Sequence, residues 1–288
     1  MRRKILSVFL IFSLIFSLCA CTSSGSAPAK SSTFSILFIV VGKGDSALVE
    51  CDGRYMLIDA GEKTAEDKVY DVLVQKGIQH LDILAISHLH SDHIGGMPKA
   101  LTYASKIDLT LSNAETDRRD REAFRNLQKE LGIDGATIKV PHTGDKFSLG
   151  SAEVEVVDVA SENENYSLVL LITYGKTKFL FTGDIEEDAQ TRISDKYQND
   201  KDDPYYVDLI KMPHHGSYTG TLYRFVRTFM PKYAIISCGE NNMYGHPHRE
   251  TMDLLNNKEL GAEVYRTDKD GDILVKSDGK TISVEKSK

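Results

Sequence analysis

The stretch Ser87-His88-Leu89-His90-Ser91-Asp92-His93-Ile94-Gly95-Gly96 constrains this chain more than any other. It places four metal-capable side chains within six positions, directly after the apolar run from Leu81 to Ile86, which reads as a buried strand. On extended backbone the side chains repeat every two residues, so His88 and His90 point the same way. Asp92 and His93 follow on a turning loop and face a second position nearby. The result is two adjacent half-sites of nitrogen and oxygen donors, which suit zinc, manganese or iron better than calcium. Histidine is scarce here, nine in 288 residues, so three within six positions at a strand end is more than a polar loop.

The N-terminus reads as a targeting segment. Met1-Arg2-Arg3-Lys4 is basic, and the apolar run from Ile5 to Leu18 is too short to span a bilayer as a stable helix. Leu18-Cys19-Ala20-Cys21 follows and looks like a bacterial lipobox, because cysteine stands where a small-residue cleavage site belongs. Residues 1–20 are therefore expected to be a lipoprotein signal peptide, with Cys21 carrying the lipid. Residues 21–33, rich in Ser, Ala and Gly, form a flexible tether, and 34–288 form the folded domain. The domain would stand on the outer, extracytoplasmic face of a bacterial cell membrane, held by lipid rather than spanning it. Without Arg2, Arg3 and Lys4 the chain keeps 32 Lys and Arg against 42 Asp and Glu, a net charge of −10 instead of −7. Such an acidic body argues against broad nucleic-acid binding and leaves room for a local basic cleft. Cys51 and Cys238 either pair or stay as two buried thiols.

Strands and helices mix along the rest of the chain. Strands are expected over Phe34 to Val41, Ala47 to Cys51 and Tyr55 to Ile58, the last two joined at Asp52-Gly53. A helix over Glu66 to Lys76 stops at Gly77, and helices follow over Met97 to Tyr103 and Asp117 to Leu131. Further strands fall at Ile107 to Leu111, Ala136 to Val140, Lys146 to Leu149, Val154 to Val159, Leu168 to Tyr174, Lys178 to Thr182, Val207 to Met212 and Tyr233 to Ser237. Helices are expected over Glu186 to Tyr197, Tyr223 to Phe229 and Glu250 to Asn257, and strands fill the tail from Val264 to Val284. His142 reads as a solvent-facing turn residue and Lys211 as an ordinary strand residue. Periodicity alone gives an α/β mixture.

Several motifs go further. The H-x-H-x-D-H run of His88, His90, Asp92 and His93 resembles the signature of the metallo-β-lactamase superfamily. The turn Gly42-Lys43-Gly44-Asp45-Ser46, the strand end Leu57-Ile58-Asp59-Ala60-Gly61, Asn165-Tyr166-Ser167-Leu168-Val169-Leu170, Pro213-His214-His215-Gly216-Ser217 and Tyr244-Gly245-His246-Pro247-His248 narrow the resemblance. They are similar to the hydrolase domain of ComEC-type competence (DNA-internalisation) proteins, from Phe34 to the C-terminus. Val40 and Lys43 depart from that family's usual Asp and Gln.

The resemblance implies an αββα sandwich of the metallo-β-lactamase-like fold, holding one or two divalent ions, zinc or manganese. It implies His88, His90, Asp92, His93, Asp184 and His215 as ligands, with Asp184 bridging at the end of Thr182-Gly183-Asp184. His215 is taken as the ligand and His214 as its polar partner, with the reverse order open. Asp59 and Asp45 would order the site without touching metal. Asn165 stands near where the superfamily often has a third histidine; an amide oxygen is a weak ligand for zinc and an acceptable one for manganese. His246 or His248 would bind metal, contact phosphate or give a proton, and His248 would otherwise cap the helix that follows.

The chemistry expected is hydrolysis. A metal ion activates water at neutral pH, His214 or His248 stabilises developing oxyanion charge, and a His or Asp such as Asp92 handles the proton. The substrate class implied is a phosphodiester, DNA or a wall polymer, with the membrane met through the lipid and no obligate protein partner. Two other readings compete: a wall-directed hydrolase of phosphorylcholine-esterase or β-lactamase type, and a metal-stabilised binding module.

Overall fold

The computed structural model describes residues 33–112, 129, 138–160, 167–198 and 205–288. Fifteen strands form two mixed sheets among these residues. The first sheet runs β15 (Ile282–Lys286), β14 (Ile273–Ser277), β1 (Phe34–Phe38), β2 (Ala47–Cys51), β3 (Arg54–Ile58), β4 (His80–Ile86), β5 (Lys106–Ser112) and β6 (Ile138–Lys139). The second runs β13 (Glu263–Arg266), β12 (Tyr233–Ile236), β11 (Leu209–Lys211), β10 (Thr177–Phe181), β9 (Leu168–Tyr174), β8 (Ala152–Val159) and β7 (Lys146–Leu149).

The period-two pattern of the strands builds the layers. Phe34, Ile36 and Phe38 of β1 face Leu170, Ile172, Phe179 and Phe181 of the second sheet across a shared apolar core. Phe34 stacks on Tyr174 and on Phe179, each at 4.9 Å between ring centres. Burying one such ring contributes about 1.5–3 kcal/mol. The alternate residues face outward onto helices. Leu57, Leu81 and Leu84 meet Val69 and Leu73 of α1 (Glu66–Lys76) and Met97, Ala100 and Leu101 of α3 (Met97–Tyr103). On the other side Val169, Leu171 and Leu180 meet Ile193 of α4 (Glu187–Gln198), Phe225 and Phe229 of α5 (Tyr223–Phe229) and Leu255 of α6 (Arg249–Leu255). The architecture is thus an αββα sandwich, as the resemblance implied. Gly77, at φ 68°, closes α1 in the left-handed conformation expected of a helix stop.

Parallel pairing positions the site. β3, β4 and β5 run parallel in the first sheet, and β10, β11, β12 and β13 in the second. The carboxyl ends of β3, β4, β10, β11 and β12 each lead into a segment carrying one or more of the predicted site residues, where open α/β sheets place their ligands.

Several expected boundaries move. β1 ends at Phe38, not Val41, because Val40 turns its N–H to the Asp272 carboxylate at 2.8 Å. Within Val207 to Met212 only Leu209–Lys211 forms a strand, and of the strand expected over Ala136 to Val140 residues 136–137 lie outside the described residues while Ile138–Lys139 pairs with β5. The turning loop at Asp92 is a short helix, α2 (Ser91–Ile94), and the tail contains a further one, α7 (Thr267–Asp270). The signal peptide, Cys21, the tether except its last residue Thr33, Asn165 and, Lys129 apart, the helix expected over 117–131 lie outside the described residues. Among the described residues no helix is long and apolar enough to cross a membrane.

Candidate metal centre

The loop after β4 is wedged between two other segments. Asp45 N–H reaches the Asp92 carbonyl at 3.2 Å, and Ala60 N–H reaches the His93 carbonyl at 2.7 Å. A Cβ on Gly96 would stand 2.2 Å from the Ala60 oxygen, and one on Gly44 1.8 Å from the Asp92 oxygen. Glycine at both positions is what lets the three backbones close together.

Four side chains then converge. Asp184 Oδ2 lies 3.7 Å from His88 Nε2, 3.3 Å from His93 Nε2 and 3.4 Å from His215 Nε2. The far nitrogen of each ring has another partner: His93 Nδ1 on Asp59 at 2.8 Å, His215 Nδ1 on the Ser237 carbonyl at 3.1 Å, and His88 Nδ1 against Ser87 Oγ at 3.1 Å. Ser87 in turn gives its N–H and Oγ–H to Asp59, at 2.8 and 2.5 Å. The three Nε2 atoms and Asp184 Oδ1 are buried with no hydrogen-bond partner. Buried polar atoms are nearly always satisfied. Imidazoles fixed through one nitrogen, with the other turned unsatisfied to a shared carboxylate, are arranged as metal ligands are. The donor set therefore fits a divalent ion, and groups His88–His93–Asp184 and Asp92–His93–His215 each offer three donor atoms close together. His214 and His215 sit at positive φ, 44° and 54°, a backbone strain that side chains tolerate where function requires it.

The charges are strongly coupled. Burial alone would raise the Asp184 pKa, but the neighbouring His215 and His93 outweigh it and hold it well below the usual range. Burial likewise opposes charge on His215, yet the Asp184 and Asp45 carboxylates lift it to about 9, and Asp184 and Asp59 lift His93 well above its usual value. His88 goes the other way, lowered by burial and by its neighbour His93. A cation bound by these rings would compete with their protons.

Lys211 corrects the sequence reading. It is no ordinary strand residue: at the end of β11 it is buried, its ammonium paired with Asp45 and donating to the Gly183 carbonyl at 3.3 Å. No local pattern signals this, because Asp45 comes from a turn of the other sheet. Asp45 thus sits inside the cluster, its Oδ1 3.3 Å from His215 Nδ1, while Asp59 bonds His93 Nδ1. His90 is exposed beside His88, their ring centres 4.6 Å apart, and belongs to none of the donor groups among the described residues. Asp92 Oδ2 stands 3.8 Å from His215 Nε2.

His214 and His246 face an open cavity of about 330 Å³, lined also by Lys43, His90, Asp92, Asn242 and Tyr244. His214 Nδ1 pairs with Glu186, and although burial opposes it, that pairing raises the His214 pKa. His246 is lowered to about 4 by burial and by the positive His215 and His214. His248 does not take the capping role. Its side chain makes no cap bond to α6, and its ring instead ties the loop, accepting Tyr218 N–H at 3.0 Å and donating to the Tyr244 carbonyl at 3.1 Å. Sequence reasoning missed Glu186 and Ser87, each visible only through its partner. Cys51 and Cys238 are both buried and unpaired, and His142 is an exposed turn residue beside Asp145.

Fold and donor set together define a class, and the chain belongs to it: the metallo-β-lactamase superfamily, whose family model matches residues 39–240. Within it, relatives are competence proteins. The chain is 31% identical over 270 residues to ComE operon protein 3 of Bacillus subtilis (strain 168), covering 85% of this chain and 33% of that protein. It is 26% identical over 231 residues to competence protein ComA of Neisseria gonorrhoeae, covering 80% and 30%. The chain thus spans about a third of the length of these relatives. Solved structures share the fold. The metallo-β-lactamase fold protein YhfI of Bacillus subtilis matches at TM-score 0.56 and 14% identity, over 85% of this chain and all of that one. CmlA, a diiron β-hydroxylase from Streptomyces venezuelae, matches at 0.54 and 16%, over 83% and 53%.

Proposed function

We propose that the protein is a metal-dependent phosphodiesterase of the bacterial cell envelope, lipid-tethered through Cys21 on the extracytoplasmic side. The observation that carries the reading is the convergence of His88, His93 and His215 Nε2 on Asp184, all three rings oriented from behind and all three nitrogens otherwise unsatisfied. Zinc or manganese held there supplies Lewis acidity and a nucleophile at neutral pH. The chain's own residues do the rest. Asp92 lies at the mouth beside His215 and orients the attacking water. His214, whose pKa the Glu186 carboxylate raises, faces the cavity and gives its proton to the leaving oxygen. His246, kept neutral, and Lys43 line the approach and fit a substrate carrying phosphate. Relatives named for competence favour DNA over a wall polymer as that substrate.

The test is hydrolysis of a chromogenic phosphodiester by protein stripped with chelator and reloaded with Mn(II) or Zn(II), with His215→Ala alongside. Activity should return with metal in the wild type and stay absent in the variant. Equal turnover in both would sink the metal mechanism, and no turnover by metal-loaded wild type would sink the phosphodiester assignment. For the tether, Cys21→Ser should move the protein from the membrane fraction to the soluble one; retention there refutes the lipid anchor.

A further inference from the structure

Exposed large hydrophobic side chains collect beside the cavity. Of the six exposed among the described residues, Tyr218, Met243 and Tyr244 lie on two segments that the His248 ring joins, through Tyr218 N–H and the Tyr244 carbonyl. Met243 is 86% exposed and Tyr244 54%. Single apolar residues scattered over a surface need no explanation, but a group of them at the mouth of a polar cavity does.

The turn that carries Met243 and Tyr244 is held from within. The Asn242 side-chain amide donates to the Gly239 carbonyl at 2.9 Å and to the His246 carbonyl at 2.6 Å, and its oxygen accepts His246 N–H at 2.9 Å. Gly245 N–H closes onto the Asn242 carbonyl at 3.0 Å. Gly239 packs so closely on the Gly42–Lys43 turn that a Cβ would stand 3.0 Å from Lys43 N. A Met and a Tyr that bury little are thus fixed in place before anything binds, which lowers the entropy lost when a ligand covers them.

Tyr244 lines the same cavity as Asp184, His214 and His215. Lys43 Nζ stands 5.4 Å from the centre of its ring, and the His246 ring lies 25° from parallel to it at 5.7 Å. Glu240, the acidic residue of this loop, is paired with Lys288 at 3.3 Å, so its charge is answered there rather than at Lys43. A flat ring beside an ammonium suits a ligand in which a flat aromatic group adjoins an anion. A nucleobase next to a phosphodiester has that form, and bases of any sequence stack on aromatic side chains. A wall polymer of polyol and phosphate has no such ring and would leave Tyr244 uncovered.

We infer that Tyr244, with Lys43 beside it, is a stacking platform for the nucleobase adjoining the scissile phosphate, so that the site selects a nucleic-acid strand over a wall polymer. The inference rests on the phosphodiesterase reading above and adds the residue that sets substrate choice. Stacking on one ring raises affinity by about five- to 150-fold.

The experiment measures binding without turnover. Full-length protein in chelator is titrated against two dye-labelled probes, a short oligothymidylate and an abasic oligomer of the same length and charge, and fluorescence anisotropy gives each affinity. The wild type should prefer the base-bearing probe by about five- to 150-fold. Tyr244→Ala brings the two affinities together, and Tyr244→Phe, which keeps the ring, restores the preference. Lys43→Gln weakens both probes alike, because both carry the same phosphates. Equal affinity of the wild type for the two probes, including no binding of either, overturns the inference, as does a preference that survives in Tyr244→Ala. Cleavage by the Mn(II)-loaded protein is then measured on both probes. Cleavage without a base preference in binding leaves the phosphodiesterase reading standing while the platform falls. A Tyr244-dependent preference without cleavage of either probe keeps the platform and overturns the phosphodiesterase.

Discussion

Asp59→Asn probes how the centre is oriented from behind. Asp59 is almost fully buried and accepts three hydrogen bonds: Ser87 N–H at 2.8 Å, Ser87 Oγ–H at 2.5 Å and His93 Nδ1–H at 2.8 Å. Asparagine keeps one oxygen, which serves Ser87 N–H, and places an NH2 where the second carboxylate oxygen stood. That NH2 faces His93 Nδ1, which must now accept rather than donate. The proton moves to Nε2, and the lone pair aimed at Asp184 is lost. Changing the group that orients a ligand histidine costs about 10–100-fold in metal affinity, or about 1.4–2.8 kcal/mol. Loss of the charged hydrogen bond to His93 removes about 1.5–3 kcal/mol of fold stability, and each kcal/mol lowers Tm by about 2–4 °C in a domain this size. Calorimetric titration with Zn(II) reads the first quantity and thermal unfolding of the metal-free protein the second. A variant with wild-type zinc affinity and an unchanged circular dichroism spectrum would falsify the claim that Asp59 sets the His93 tautomer.

Gly96→Ala forces a methyl to within 2.2 Å of the Ala60 carbonyl oxygen, a backbone atom with no side chain to swing away. The expected loss is about 1–3 kcal/mol in urea unfolding, and an unchanged midpoint would show that the metal loop and the end of β3 are not in fact jammed together. Lys43→Gln removes the ammonium at the cavity mouth, which lies 5.4 Å from the Tyr244 ring. KM for an anionic diester should rise by about two- to fivefold with kcat unchanged; a fall in kcat with KM constant would place Lys43 in the chemistry instead.

The elements written most plainly in the chain were those whose signals are local. Helix Glu66–Lys76 has acidic residues in its first turn and Gly77 after its last, and both ends fall where the sequence placed them. Leu168–Tyr174 also matches residue for residue, a run buried on both faces. β11 was overestimated because Val207 and Met212 are as apolar as a strand residue but bury themselves outside the ladder. At the site, His88, His93, Asp184 and His215, each carried by a motif, stand close together. Lys211 was not legible, because what makes a strand lysine special is a carboxylate more than 160 positions earlier in the chain. The capping alternative for His248 fails for a related reason: a histidine before a helix looks like a cap, whereas its ring bonds the backbone of Tyr218 and Tyr244.

His88 and His93 follow a strand of the first sheet, and Asp184 and His215 follow strands of the second. An ion held among them is a rivet through both sheets, joining points more than 120 residues apart along the chain. A covalent cross-link over such a span removes about 4–5 kcal/mol of unfolded-chain entropy. With Cys51 and Cys238 unpaired, the described residues contain no disulfide to do that work. The ion would be the cross-link, and one that chelation opens and resupply closes. Resistance to proteolysis should then follow the metal content of the surroundings, so that the same atoms that perform the chemistry also decide how long the protein survives.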